Sequence, residues 1–169
     1  MKRLLMTICA AVLSFGSVCA QNYEDYSEAE AGDWAIGAGL NLASGKSITN
    51  FGFQLPRLQY YFHSNIRVEA SFNYFFKSKE CIDWDIDLDV HPYIFPMKYG
   101  LHVYPVVGLA FWHRKQTEIE KNWGRVGVNI GAGFQYDITE RLFCNLQYKY
   151  FITNDFSHSN FNVGIAYRL

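Results

Sequence analysis

The stretch DWDIDLDVH (83–91) sets Asp85, Asp87, Asp89 and His91 at alternate positions. Alternate side chains of a strand share a face, so three carboxylates and an imidazole would converge on one side. Clustered carboxylates suit a hard cation, but an EF-hand loop needs a glycine after the third acid and a later Glu. Neither fits here. Arg57, Arg67, Arg125, Lys149 and Arg168 occupy positions that point the same way as Glu69 and the aspartates. An unpaired buried charge is strongly unfavourable. The pattern therefore predicts an internal electrostatic network, carried by Arg57, Arg67, Glu69, Asp87, Asp89, Arg125 and Lys149, and no metal or cofactor.

A second stretch, FSHSNF (156–161), supplies an imidazole and a hydroxyl. His158, Ser159 and Asn160 are consecutive, so on a strand His158 and Ser159 point to opposite faces and do not meet as base and nucleophile. No Asp or Glu follows to orient the histidine as in a triad. The segment reads as a polar surface loop, and no catalytic residue set emerges. His113 has outward parity and His102 points inward. No pair of histidines shows metal-ligand spacing.

The elements that would position these residues alternate in polarity almost throughout. Eight segments stand out: 34–43, 51–62, 66–76, 84–96, 101–114, 125–138, 142–152 and 160–169. Most run to about ten residues, the length of a tilted strand crossing a bilayer. In the segment 160–169, Phe161, Val163, Ile165, Tyr167 and Leu169 oppose Asn160, Asn162, Gly164, Ala166 and Arg168. Gly37, Gly39, Gly108, Gly127, Gly131, Gly133 and Gly164 all fall on the polar face. Glycine weakens a strand interior, but it makes room inside a narrow eight-stranded barrel. The second segment changes phase at Pro56: Phe51, Phe53 and Leu55 share one parity, and Leu58, Tyr60 and Phe62 the other. Proline lacks an N–H and suits a bulge.

Connections alternate in length. HSN (63–65), MKYG (97–100) and TER (139–141) are short, whereas SGKSITN, KSKECID, KQTEIEKNWG and TNDFSHS are long and polar. Short turns on one side and long loops on the other predict an up-and-down membrane barrel. Trp34, Tyr60, Phe62, Tyr136 and Tyr167 gather near the short turns; Tyr74, Phe76, Trp84, Phe111 and Tyr150 gather near the long loops. Two aromatic girdles belong at the two faces of a bilayer. Cys144 lies near a short turn and Cys81 in a long loop. A hydrocarbon core of about 30 Å would separate them, far beyond the ~7 Å that a disulfide spans.

Composition agrees with this pattern. Of 169 residues, 50% are apolar, 18% aromatic and only 18% charged, yet mean hydropathy is −0.09. Apolar residues evenly diluted by polar ones indicate strands between two environments. Residues 1–20 (MKRLLMTICAAVLSFGSVCA) read as a secretory signal peptide, with a basic start, an apolar run and small residues before the cut. Its removal takes Lys2 and Arg3 and no acid, leaving 13 basic against 16 acidic residues, a net charge of −3. Nucleic acid, which wants a basic face, is not expected as a partner. Residues 21–33 (QNYEDYSEAEAGD) read as a flexible leader, and 34–169 as the barrel domain.

The glycine-rich first strand, LQYYFHSNIRVEASFNYFF, VYPVVGLAFW and the terminal NVGIAYRL resemble the small outer-membrane β-barrel domain family, of the OmpA/OmpX type with eight strands. The resemblance covers nearly all of 34–169. It implies an integral protein of a bacterial outer membrane, surrounded by outer-membrane lipid, with both termini periplasmic. It further implies that Tyr167 and Leu169 form a C-terminal signal read by the barrel-assembly machinery. Members usually end in an aromatic residue; Tyr167 matches and Leu169 departs. The expected function is a structural or surface-interaction role with a polar, plugged lumen, no enzymatic activity and a loop partner left undefined. Three alternatives stay open: a small porin-like channel, a membrane-embedded lipid A-modifying hydrolase, and a soluble lipocalin-like barrel with the same alternation turned inside out.

Overall fold

Alternation of apolar and polar side chains produces strands whose two faces require different surroundings, and the chain satisfies this by closing on itself. The computed structural model describes residues 29–45, 48–78, 81–97, 100–116, 121–154 and 156–169. Its strands are β1 (Trp34–Gly45), β2 (Ile48–His63), β3 (Ile66–Ser78), β4 (Cys81–His91), the two-residue β5 (Phe95–Pro96), β6 (Leu101–Gln116), β7 (Lys121–Asp137), β8 (Leu142–Ile152) and β9 (His158–Arg168). Sequence neighbours other than β4 and β5 pair antiparallel, β1 pairs with β9, and β4 pairs with β6. The eight long strands thus form a closed antiparallel barrel. The signal segment and most of the leader, at residues 1–28, lie outside the described residues.

One rim carries the short turns and the C-terminus; we call it the terminal rim. Thr139 shapes the β7–β8 turn there: Ile138 and Thr139 donate their N–H groups to Leu142 O at 2.8 and 3.0 Å. At the β1–β9 seam, Leu169 N donates to Trp34 O at 2.8 Å. The last residues of the expected flexible leader are docked rather than free. Gly32 N donates to Tyr61 O at 2.8 Å, Tyr61 N donates to Asp33 O at 2.9 Å, and Ala29 is buried.

The other rim, the hairpin rim, differs from expectation. Three of the four expected long loops are largely strand: pairing runs out to Gly45↔Ile48, Ser78↔Cys81 and Gln116↔Lys121. Cys81 therefore opens β4 instead of lying in a loop. Alternation marks where two environments flank a strand, whereas ladder hydrogen bonds continue wherever two chains stay adjacent, polar or not. Residues 46–47, 79–80, 117–120 and 155, within these connections, lie outside the described residues. The fourth strand also ends earlier than expected, at His91 rather than Pro96. Pro92 has no N–H to extend the ladder, and the chain rejoins the sheet only at Phe95↔Val103 and Pro96↔His102.

The phase change at Pro56 is a real irregularity. Pairing of β2 with β3 jumps between Gln54 and Arg57, and pairing of β1 with β2 shifts between Gly37 and Gly39. Leu55 and Pro56 are both exposed, while Gln54 and Arg57 are both buried. The extra residue lets both halves of β2 keep their apolar side chains outward.

Outside, the barrel is apolar. Leu40, Leu88, Leu109, Val126 and Ile130 are all more than half exposed, Val126 reaching 66%. A continuous apolar exterior of this extent is incompatible with water and is what hydrocarbon requires. Aromatic clusters bound it at both ends, with Trp34–Tyr60 centroids 4.8 Å apart at the terminal rim and Trp84–Phe111 centroids 5.7 Å apart toward the hairpin rim. The lipocalin-like arrangement, with aliphatics inside, is the reverse of this.

Inside, small residues admit large ones. A Cβ placed on Gly133 would lie 2.5 Å from the ring of Tyr104, its partner on β6. That ring lies over the glycine and packs, tilted, beside the His91 ring with centroids 4.5 Å apart. Gly133→Val would force the ring off its rotamer. We expect a stability loss of about 1–3 kcal/mol, read as a lower urea midpoint for the barrel refolded in lipid vesicles. An unchanged midpoint would show that Tyr104 turns aside at no cost.

Candidate functional site

Each of the eight long strands sends its polar parity inward, and a barrel of eight strands is narrow enough for those side chains to meet. From the hairpin rim downward they form successive layers. In the first, Arg114 grips Asp83 with Nε to Oδ1 and Nη2 to Oδ2, both at 2.7 Å, and Asn50 Nδ2 donates to Asp83 Oδ2 at 2.6 Å. The Arg114 guanidinium lies 4.5 Å from the Phe156 ring centroid, a cation–π geometry. Neither Asp83 nor Arg114 was among the expected network residues. Both share the inward parity of Asp85 and Trp112, and only the extension of the hairpins beyond the apolar belt brings them into register.

Beneath this pair is an aromatic layer of Phe75, Trp112, Phe151, Phe156 and His158. The Trp112 and His158 rings stand edge to face at 4.3 Å. His158 is 1% exposed, which corrects the reading of FSHSNF as a surface loop: Phe156 and His158 turn into the barrel mouth because apolar rings there exclude water. Ser159 faces the other way and bonds to Tyr148 Oη at 2.9 Å. The imidazole and the hydroxyl do not meet.

The central layer is charged. Lys149 Nζ reaches Asp89 Oδ2 at 2.8 Å and also bonds to Asp87. Asn129 Nδ2 donates to Asp89 Oδ1 at 3.0 Å, and Asn73 Nδ2 bonds to Asp85 and, at 3.2 Å, to Asp87 Oδ2. Asn41 links Asn73 to Asn162, whose Nδ2 donates to Asn41 Oδ1 at 2.6 Å. Among the described residues no group of three or more His, Cys, Asp or Glu side chains is arranged to hold a metal ion. Asp87 and Asp89 instead face an ammonium.

One layer further down, Glu69 gathers donors from several strands. Arg57 gives Nε and Nη2 to Glu69 Oε2 at 2.8 and 2.6 Å, and Gln59 Nε2 donates to the same oxygen at 2.6 Å. Arg57 also bonds across the lumen to Asn145 on β8. Gln147 Nε2 approaches both carboxylate oxygens at 3.4–3.5 Å and donates to Tyr104 Oη at 3.2 Å. Arg57 and Glu69 are each 0% exposed. Burial is tolerable for such a pair because almost every charged atom has a partner.

Arg67 is held differently. Its Nε donates to His91 Nδ1 at 2.6 Å, and its Nη1 to Tyr61 Oη at 2.8 Å and Gln135 Oε1 at 2.6 Å. The guanidinium carbon sits 4.6 Å from the Tyr104 ring centroid. At the terminal rim His102 Nε2 pairs with Asp137 Oδ2 at 2.9 Å.

Of the seven expected network residues, six are buried inside the barrel and one is not. Arg125 is exposed, donating to Gly124 O at 3.1 Å with its guanidinium 5.3 Å from the Trp123 ring. Its parity is inward, but β7 pairs with β8 only from Val128 onward. At Arg125 the wall on that side has ended, so an inward-pointing side chain meets solvent. Tyr167 and Leu169 both face outward, 43% and 70% exposed.

The outer membrane protein beta-barrel domain model matches residues 9–168. A search of curated proteins finds no match. Among solved structures, the N-terminal β-barrel domain of Pseudomonas aeruginosa OprF is similar, with TM-score 0.67 and 17% identity over 83% of this chain and 100% of that one. The attachment invasion locus protein Ail of Yersinia pestis follows, with TM-score 0.62 and 18% identity over 82% of this chain and 99% of that one. The outer membrane protein OprG of Pseudomonas aeruginosa gives TM-score 0.59 and 13% identity over 86% and 99%. Identities this low speak for the fold alone. Together with the apolar exterior and the match over residues 9–168, they lead to one conclusion: the chain belongs to the outer membrane protein beta-barrel domain family and is an integral protein of that membrane.

Proposed function

We propose that this protein is a non-enzymatic structural or surface-interaction component of the outer membrane, with a lumen closed to steady ion flow. The observation that carries this reading is the fully buried Arg57–Glu69 pair, bonded from β2 and β3 across to Asn145 on β8. A guanidinium held on both sides of the lumen spans the path an ion would follow, and the Lys149–Asp87–Asp89 group and the aromatic layer lie above it. With the interior occupied, recognition falls to the rims. The long hairpins carry mixed charge with Trp123, a composition suited to contact surfaces. In this reading the terminal rim, with both ends of the barrel domain, is periplasmic and the hairpin rim faces outward, as is usual for such barrels.

Assembly is part of the proposal. Tyr167 and Leu169, outward-facing on the strand that closes the β1–β9 seam, are suited to recognition by the barrel-assembly machinery before the seam forms. Removing residues 161–169 would leave β1 and β8 with unpaired edges in hydrocarbon, which is prohibitive. We expect such a truncation to abolish the mobility shift between unboiled and boiled samples on detergent gels. A truncated chain that still gave a heat-modifiable, protease-resistant barrel would sink this part.

In planar bilayers the purified barrel is expected to show no sustained conductance steps, and Lys149→Ala to introduce brief openings at most. Regular long-lived steps from the unaltered protein would establish the channel reading instead. Glu69→Gln leaves Arg57 buried without its counter-charge. It is expected to cost roughly 3–5 kcal/mol in urea unfolding from lipid vesicles, against a small effect for an exposed substitution such as Lys115→Gln. Equal effects would mean that solvent reaches the pair.

A further inference from the structure

Where β4 stops, the wall changes character. Pairing between β4 and β6 ends at Val90↔Val107, and below it only Phe95 and Pro96 pair with β6. Residues 92–97 form a strap across this interval. Ile94 turns inward, is 5% exposed, and donates its N–H to Asn65 O at 2.7 Å. Tyr93, Phe95 and Met97 are exposed, and the rings of Tyr93 and Phe95 pack at 4.5 Å.

Behind the strap a cavity of about 100 Å³ is lined by Tyr61, Asn65, Tyr93, His102, Asp137 and Arg168, among others. That is several times the space one water needs. Its polar groups are of both signs and are held in place. Asp137 accepts from Gln135 Nε2 at 2.7 Å and from His102 Nε2 at 2.9 Å, and each oxygen keeps a second acceptor position. Arg168 donates to Glu140 O at 3.2 Å, with its guanidinium 5.7 Å from the Tyr61 ring and 5.9 Å from that of Phe143. Asp137 is 6% and Arg168 7% exposed. Behind Tyr61 and Gln135 sits Arg67, fully buried. None of its hydrogen-bond partners is a carboxylate, and its Nη2 has no partner among the described residues.

We propose that this cavity binds the phosphoethanolamine headgroup of a phospholipid in the adjoining leaflet. Arg168, which keeps other contacts within the protein, presents a planar guanidinium at the cavity wall that suits phosphate, and Asp137 offers a carboxylate for the ammonium. A phosphate without the ammonium would face the Asp137 charge uncompensated. A simple cation would face Arg168, with Arg67 behind. A lipid source, rather than free phosphoethanolamine, is favoured by the strap: Tyr93, Phe95 and Met97 are exposed and continue the apolar exterior up to the cavity's lip. The site rests on the periplasmic placement of this rim proposed above, since that leaflet carries the phospholipid, and does not depend on the lumen being closed.

The test uses the full barrel refolded in detergent micelles and read by native mass spectrometry. The probes are dihexanoyl phosphatidylethanolamine, dihexanoyl phosphatidylglycerol and free phosphoethanolamine at equal concentrations. The ethanolamine lipid should be retained about tenfold over the glycerol lipid, and Arg168→Gln and Asp137→Asn should each remove most of that preference, as expected for loss of one charge-assisted contact. Phe95→Ser should weaken lipid retention while leaving any free phosphoethanolamine signal unchanged, because Phe95 is exposed and does not line the cavity. This variant carries the test if either charge variant loses its heat-modifiable fold. Equal retention of the two lipids, or no effect of the variants that fold, would overturn the site. Free phosphoethanolamine bound as tightly as the lipid would overturn the lipid source.

Discussion

Backbone hydrogen bonding in hydrocarbon governs the rest of this structure. An N–H or C=O left unpaired among lipid tails costs several kcal/mol, so a sheet that crosses the bilayer must have no edge. Here two ladders make the sheet endless, β1 with β9 and β4 with β6. Once the ring closes with eight long strands, its diameter is set, and so is the small interior. The two irregularities are handled within that constraint. The bulge at Leu55 and Pro56 keeps β2 in its ladders on both sides of the slip. The break after His91 falls at the terminal rim, where water can reach backbone groups, and is spanned by the strap with one bond from Ile94 to Asn65.

A narrow interior of polar parity then poses an electrostatic problem, solved layer by layer. Three acids in the middle of the barrel meet a donor from a strand distant in sequence: Glu69 meets Gln147 as well as Arg57, and Asp87 and Asp89 meet Lys149. These bonds cross the lumen, so they brace the barrel much as core packing braces a soluble domain. At the hairpin end, rings replace charges, with Trp112 among Phe75, Phe156 and His158. Glycines opposite bulky residues, Gly133 beneath Tyr104 above all, show how tightly this interior is filled.

The two rims follow different rules because they lie beyond the apolar belt. The hairpin rim keeps pairing without needing to exclude lipid, so Trp123 and Arg125 on β7 stand where β8 no longer covers them. The terminal rim is tied down more closely. Ala29, Gly32 and Asp33 fold back toward Tyr61, the Thr139 turn is bonded to Leu142, and a polar cavity opens between the strap and Arg168.

Much of this was written in side-chain order alone. Alternation along 125–138 or 160–169 determines which residues face lipid and which face inward, since a strand has a period of two whatever surrounds it. The slip at Pro56 was visible for the same reason, as a change of parity at a residue without an N–H. So was the separation of His158 from Ser159, because neighbours on a strand cannot share a face. Tertiary structure alone decided the rest. Parity placed Arg125 inside, but only the height of the neighbouring strand decides whether an inside exists there. It placed Arg57, Arg67, Glu69 and Lys149 in one lumen without saying which would bond, because partners 60 or 88 residues apart depend on register and barrel stagger. Asp83 was missed because loop composition does not reveal where a ladder ends, and Arg114, the last residue of the segment 101–114, because its partner lay in that expected loop. The cavity behind the strap has no local signature at all: it arises where β4 stops short of β6, a mismatch between strand lengths that exists only once the barrel is closed.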